Sequence, residues 1–415
     1  MQILLTFSIL LLTRPIITYD GWQYLASGIS LFDGSFLTNY FFLRQPLYPF
    51  FVGAIFSLTN SIWTIVAIQV FINILAIDLF LNTILNHTRF KTIQNKTAVK
   101  SCSAVLIWFC AGSYPSFILA QNLFTPFICI FISFVIRFSL SSYGKKSTER
   151  EFLGWLITFS LLGLSYLLAK ELFIICFAWL LIYSLYRDRS FSRIAVTAIG
   201  SSLLILGLSS SLKSIENKSR SSSLTIIQSD KDIFLANSLA ANLKSRLLED
   251  PPYSQTVIYA VLSNLDLVPT MGWDGIVEDK YLNPGHTARF FGLNHLMQLG
   301  NKCNTFPASG VIAVNPSYVP TEMKSCFELT ISVPDIIKWP LYIIYLFLWP
   351  LIVAGYCYAV VRNLRKDIYA LFPLVLVFGY AAIGAGISRY GSPVYPFIIT
   401  YVTSSVFLFK QNRGN

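Results

Sequence analysis

Ten apolar stretches, each close to the length of a bilayer crossing and separated by loops of alternating charge, leave this chain few solvents in which to fold. A hydrocarbon core of about 30 Å takes roughly 20 apolar residues per helical crossing, and stretches of that kind lie at 2–18, 61–85, 98–117, 119–138, 152–169, 172–186, 194–212, 337–361, 368–387 and 392–409. Backbone polar groups in hydrocarbon must be satisfied within the segment, and the strand-length alternation of a closed barrel is absent, so helices are predicted. With 54% apolar residues, among them 34 Phe and 22 Tyr, a bundle of such helices would present an aromatic and branched face to lipid. Residues 1–18 lack the basic lead and the small-residue cleavage site of a secretory signal, which reads as an uncleaved first crossing.

The net charge of +11 invites a nucleic-acid reading, and its location removes it. Residues 213–338 hold 11 Lys+Arg against 12 Asp+Glu, while the remainder holds 20 against 8. The excess sits in loops: His87, Arg89, Lys91, Lys96 and Lys100; Lys145, Lys146 and Arg150; Arg187, Arg189 and Arg193; Arg362, Arg365 and Lys366; and finally Lys410 with Arg413. Each cluster follows an even number of crossings, so the positive-inside rule puts both termini in the cytoplasm and 213–336 on the outer side. The expected fold class is an all-α polytopic membrane protein of about ten transmembrane helices. Its parts are an N-terminal module at 1–212, an extracytoplasmic α or α+β cap at 213–336 and C-terminal helices at 337–415.

The first outer segment, 19–60, is more than a connection. Tyr24, Leu25, Ile29, Leu31 and Phe32 make one apolar side and Asp20, Gln23, Ser27 and Ser30 another, which predicts an interfacial amphipathic helix over 20–32. The apolar run 46–58 is too short to cross comfortably. Counting it as a crossing would invert every later loop, so a re-entrant or interfacial helix is expected there. In the cap, Leu235, Leu239, Leu243 and Leu247 predict a helix over 232–249, stopped by Pro251 and Pro252. Further helices are expected at 256–265 and 287–299, and short strands at 311–314 and 326–333.

Cys303 and Cys326 are the two cysteines of the outer segment, and a disulfide between them is expected in an oxidising compartment. Cys102, Cys110, Cys129, Cys176 and Cys357 read as small apolar fillers. The three histidines are too scattered for a metal cluster by spacing, which leaves a metal site undefined.

Ionisable groups at membrane depth ask for a reason. Asp20 stands just beyond the first crossing, where it either caps a helix or faces a cavity. Asp78 lies within the second crossing, with Asn73 one to two turns away as a candidate partner. On the outer side Arg44, Lys170 beside Glu171, and Arg389 with Tyr390 oppose the positive-inside trend, and an anionic lipid phosphate would hold them there. His286, Arg289 and His295 are outer residues able to touch a sugar or an acceptor.

These residues fall into four patterns in an order that resembles the polytopic, lipid-phosphosugar-dependent glycosyltransferases of the GT-C superfamily, in particular the dolichyl-phosphate-mannose-mannosyltransferase-like and aminoarabinose-transferase-like group (glycosyltransferase family 39-like). Asp20-Gly21-Trp22-Gln23-Tyr24-Leu25-Ala26 followed by Gly34 is similar to that family's first outer loop. Arg44-Gln45-Pro46-Leu47-Tyr48-Pro49 is similar to its entry into the next helix. Gly163-Leu164 through Lys170 looks like a middle span, and Arg389-Tyr390 with Pro393 and Pro396 like the start of a late one. The resemblance implies Asp20 as catalytic carboxylate, and Arg44, Lys170, Arg389 and Tyr390 as donor and lipid-phosphate ligands. Tyr24, Asn122, His286 and Arg289 are acceptor-side candidates. Where the family carries Glu, Ala120-Gln121-Asn122-Leu123-Phe124 is neutral at Asn122, which removes a carboxylate that a divalent cation would use. A divalent cation is therefore the one cofactor left open.

The partners implied are a polyprenyl-phosphate-linked sugar, a lipid, glycan or protein acceptor, and the bilayer, with no nucleic acid. Such an enzyme would act on the outer face of a bacterial inner membrane, in cell-envelope glycan synthesis, and invert the anomeric centre. Two competitors share the broad pattern. A polysaccharide polymerase also has a large outer loop and basic residues for lipid pyrophosphate. A non-enzymatic flippase should show repeated halves and midplane polar residues, and neither is evident in the sequence.

Overall fold

The computed structural model describes residues 19–32, 45–111, 120–141, 148–187, 199–201, 203–204, 207–208, 257–265, 267, 335–364, 367–382 and 393–414. The expected first crossing, the elements at 232–249, 287–299, 311–314 and 326–333, and the Cys303–Cys326 pair lie outside them. Among the described residues every regular element is helical: α1 Tyr19–Phe32, α2 Leu47–Thr59, α3 Ile62–His87, α4 Lys96–Ala111, α5 Gln121–Ser141, α6 Thr148–Leu168, α7 Lys170–Arg187, α8 Val257–Asn264, α9 Asp335–Asn363, α10 Phe372–Ala382 and α11 Val394–Gly414. Short 3-10 turns at Arg89–Thr92 and Ile368–Leu371 follow α3 and precede α10.

Two helical stretches, Ile62–His87 and Ile343–Asn363, are long and apolar enough to cross a bilayer; 47–59, 122–137, 156–168 and 368–382 are apolar and shorter. Large apolar side chains point outward from many helices, with Phe71 and Leu75 on α3, Phe134 on α5, Ile174 and Ile182 on α7, and Phe347, Leu351 and Val361 on α9. Exposed apolar surface spread over so many helices needs an apolar environment or a partner to cover it.

The chain's local chemistry accounts for where α2 and α3 separate. Asn60 takes the left-handed conformation at φ 50°, and its N–H bonds back to the Phe56 carbonyl at 2.7 Å. Asn tolerates this conformation at a helix C-terminus better than branched residues do. Ser61 then caps α3, its side chain accepting from the Thr64 N–H at 3.3 Å. A stop and a start in adjacent residues make α2 a helix of its own, as the short 46–58 run predicts.

Helices α1 and α2 form a hairpin held by backbone contact. A Cβ added to Gly28 would meet Gly53 N at 2.8 Å, and one added to Gly53 would strike the Gly28 backbone. No larger residue fits at either position, and the close approach carries Tyr24 edge-on to the Tyr48 ring at 4.9 Å. Elsewhere aromatic residues fill the interior. Trp179 of α7 meets Phe131 of α5 at 5.9 Å and Phe372 of α10 at 5.4 Å. Trp349 of α9 stacks on Tyr395 of α11 at 4.3 Å and donates its Nε1–H to the Leu265 carbonyl at 2.7 Å. Together with the Asn264 Nδ2 bond to the Val377 carbonyl at 3.3 Å, this seats α8 on α9 and α10.

Helices α3 and α5 run parallel, with bonds near both ends of α5 tying it to the middle and the C-terminal part of α3. Asn73 Nδ2 donates to the Asn122 carbonyl at 3.0 Å, and Arg137 Nε donates to Thr83 Oγ1 at 2.9 Å. Ser103 of α4 and Thr403 of α11 join hydroxyl to hydroxyl at 2.6 Å.

Candidate functional site

The hairpin end of the bundle gathers several of the residues singled out in the sequence. Asp20 lies in the first turn of α1, and Tyr24, one turn on, is buried against Tyr48. The Tyr48 hydroxyl donates to Gln69 Oε1 of α3 at 2.6 Å. One turn further, Asn73 Nδ2 donates to the Gln69 carbonyl and to the Asn122 carbonyl, at 3.0 Å each. Tyr48, Gln69, Asn73 and Asn122 are all at most 5% exposed. A hydrogen-bonded path therefore runs from α2, the partner of the helix bearing Asp20, to the Asn122 carbonyl at the start of α5. Its members are neutral amides and hydroxyls, able to orient groups but not to take up a proton at ordinary pH.

Lys170 opens α7, directly after Ala169 breaks the helix, and Glu171 lies in the first turn. Helix α2 touches α6, which leads into that break. Arg44, Arg389, Tyr390, His286 and Arg289 lie outside the described residues, as does the side chain of Asp20. No group of three or more His, Cys, Asp or Glu able to hold a metal ion occurs among the described residues.

Asp78 departs from the expectation. Its carboxylate accepts from Asn82 Nδ2 at 2.7 Å and stands 3.9 Å from Lys100 Nζ, which also bonds Asn82; Asn73 turns the other way, toward Asn122. The reason is helical spacing. Residues four apart share a face, whereas a five-residue step turns about 140° around the axis.

The opposite end of the bundle holds a cluster that the sequence did not distinguish. Arg89 Nε stands 2.5 Å from Asp367 Oδ2, its Nη1 donates to Asn363 Oδ1 at 3.0 Å, and its Nη2 donates to Ser405 Oγ at 3.2 Å. The Tyr401 hydroxyl donates to the same Asp367 oxygen at 2.7 Å, and the guanidinium lies 4.6 Å from the centre of the Phe90 ring. Asp367 is 1% exposed. Burial pushes its carboxyl above the ordinary carboxylate range, although the Arg89 charge and the Tyr401 hydroxyl pull the other way. The signal available in the sequence was that Asp367 is the one acidic residue after Asp335, set against Arg362, Arg365 and Lys366.

No family model, curated protein or solved structure matches the chain.

Proposed function

We propose that the protein is a membrane glycosyltransferase of the GT-C type, moving a sugar from a polyprenyl-phosphate donor to an acceptor on the outer face of a bacterial inner membrane. The observation that carries the reading is the placement of Asp20 at the start of a helical hairpin joined by a buried polar path to the backbone of Asn122; the family resemblance implies catalysis at the first position, and the second, where the family carries Glu, is an acceptor-side candidate. In support, Lys170 opens a helix directly after a break, a position suited to an anionic group. The bundle of about ten crossings with both termini cytoplasmic belongs to the same proposal, and the two long apolar helices and the outward apolar side chains support it.

The chemistry is a single displacement. The acceptor oxygen attacks the anomeric carbon, the bond to the phosphate oxygen breaks, and the lipid phosphate leaves with the electron pair. Asp20 takes the proton of the acceptor hydroxyl, and Lys170, Arg44 and Arg389 stabilise the charge growing on the phosphate. The departing polyprenyl phosphate, a monoester, leaves unprotonated, so no second acid is required, unlike a glycosidase with its paired carboxylates.

The test is Asp20→Asn in the purified protein, assayed with a panel of labelled polyprenyl-phosphate sugars. Transfer should fall by at least about 100-fold, the scale of a lost general base, with donor binding retained. Turnover near the parent rate would end the assignment.

A further inference from the structure

Helix α1 packs chiefly against α2, and α2 reaches the bundle through α3 and α6. Asp20 therefore takes its place from how the hairpin is seated. Within the hairpin the Gly28–Gly53 backbone contact and the Tyr24–Tyr48 edge contact leave little freedom, so α1 and α2 move together. Between the hairpin and α3, the Tyr48–Gln69 bond is a fully buried polar tie, with both residues at 0% exposure. It fixes the rotation of α2 about its own axis, which apolar contacts alone leave soft. Through Asn73 the same path reaches the Asn122 carbonyl, so hairpin and α5 start share one reference.

From this we infer that Tyr48 and Gln69 are positioning residues for the reaction proposed above: they set where the first turn of α1 stands relative to the start of α5. Neither touches the reacting atoms. A single interhelical hydrogen bond does not by itself decide whether the chain folds. A displacement of about 1 Å at a reacting centre costs up to about 100-fold in rate. The residues thus matter more for geometry than for stability, and the inference rests on the glycosyltransferase reading only for its catalytic consequence.

The experiment uses the full-length chain in lipid nanodiscs with Tyr48→Phe and Gln69→Leu. Spin labels at Phe32 on α1 and Phe134 on α5, both outward-facing, report the separation of the two helices by pulsed dipolar spectroscopy. A narrow distribution is expected in the parent and a broadened one in Gln69→Leu. With the polyprenyl-phosphate sugar that the parent uses, both variants should lose kcat by about 10- to 100-fold while donor KM stays within about twofold. Tyr48→Phe removes one oxygen and keeps the ring, so it serves as the variant certain to keep the packing. An unchanged distance distribution in Gln69→Leu overturns the positioning role whatever the activity, as does full kcat in folded Tyr48→Phe. A parent that transfers no sugar from any such donor, alongside a broadened distribution, overturns the glycosyltransferase reading and upholds the mechanical role.

Discussion

Replacing Arg89 with Met leaves Asp367 with its carboxylate 1% exposed and without the guanidinium 2.5 Å away. Breaking a buried pair by removing one partner costs about 3–5 kcal/mol when the remaining charge stays buried. Arg89 is 22% exposed, and the orphaned carboxyl can take up a proton, so about 2–3 kcal/mol is the expected loss near neutral pH. Arg89→Met combined with Asp367→Leu should cost less than Arg89→Met alone, because no charge is left to bury. Asp367 also sets a pH dependence. Its folded carboxyl is held above the ordinary range, so the folded protein keeps a proton that the unfolded chain has released. The stability this proton contributes is complete below the unfolded value and is lost as pH rises through the folded one. Asp367→Asn should flatten that slope. Thermal unfolding in detergent from pH 4 to 8 on the parent, Arg89→Met, Asp367→Leu, Asp367→Asn and the double gives every quantity. Additive costs within about 0.5 kcal/mol, or Arg89→Met as stable as the parent, would refute the buried pair as described.

Gly53→Ala should separate the α1–α2 hairpin, since its Cβ has only the Gly28 backbone to move against; faster proteolysis within 19–60 would report it, and an unchanged cleavage rate would contradict the close approach. Trp349→Phe keeps the stack on Tyr395 and loses the bond to the Leu265 carbonyl, at about 1 kcal/mol for the bond with more if the carbonyl stays dry. Hydrogen exchange at 257–265 should rise without a matching rise across α3.

What the sequence made legible was what local chemistry writes. The length of the apolar run 46–58 set it apart from a crossing, and it forms α2, ended by an Asn60–Ser61 stop-and-start that was not singled out in the sequence. The helix expected at 256–265 lies at Val257–Asn264, where apolar residues and a following break coincide. Long-range choices were not legible. Gly28 and Gly53 are ordinary small residues until the chain brings them together, and their meaning depends on the crossing angle of two helices. Arg89 was one of several cations in a basic loop, and nothing near it in sequence separates it from Lys91 or Lys96. Only its distant partners do. Of the candidate site, Asp20, Tyr24 and Asn122 were nominated from pattern, whereas Tyr48, Gln69 and Asn73 were not singled out as a path, because their chemistry resides in contacts up to 49 residues apart.

Arg89 is separated by 274 residues from Asn363 and by 316 from Ser405, two of the groups that satisfy it. At about 5–20 residues per second, a ribosome reaches Asn363 roughly 15 to 55 seconds after it has delivered the arginine. Throughout that interval the guanidinium must rely on water or lipid headgroups, and the early helices wait with one end unlatched. Assembly at this face is completed last, so a nascent chain released before its final helix leaves an uncovered cation there for quality-control proteases to find.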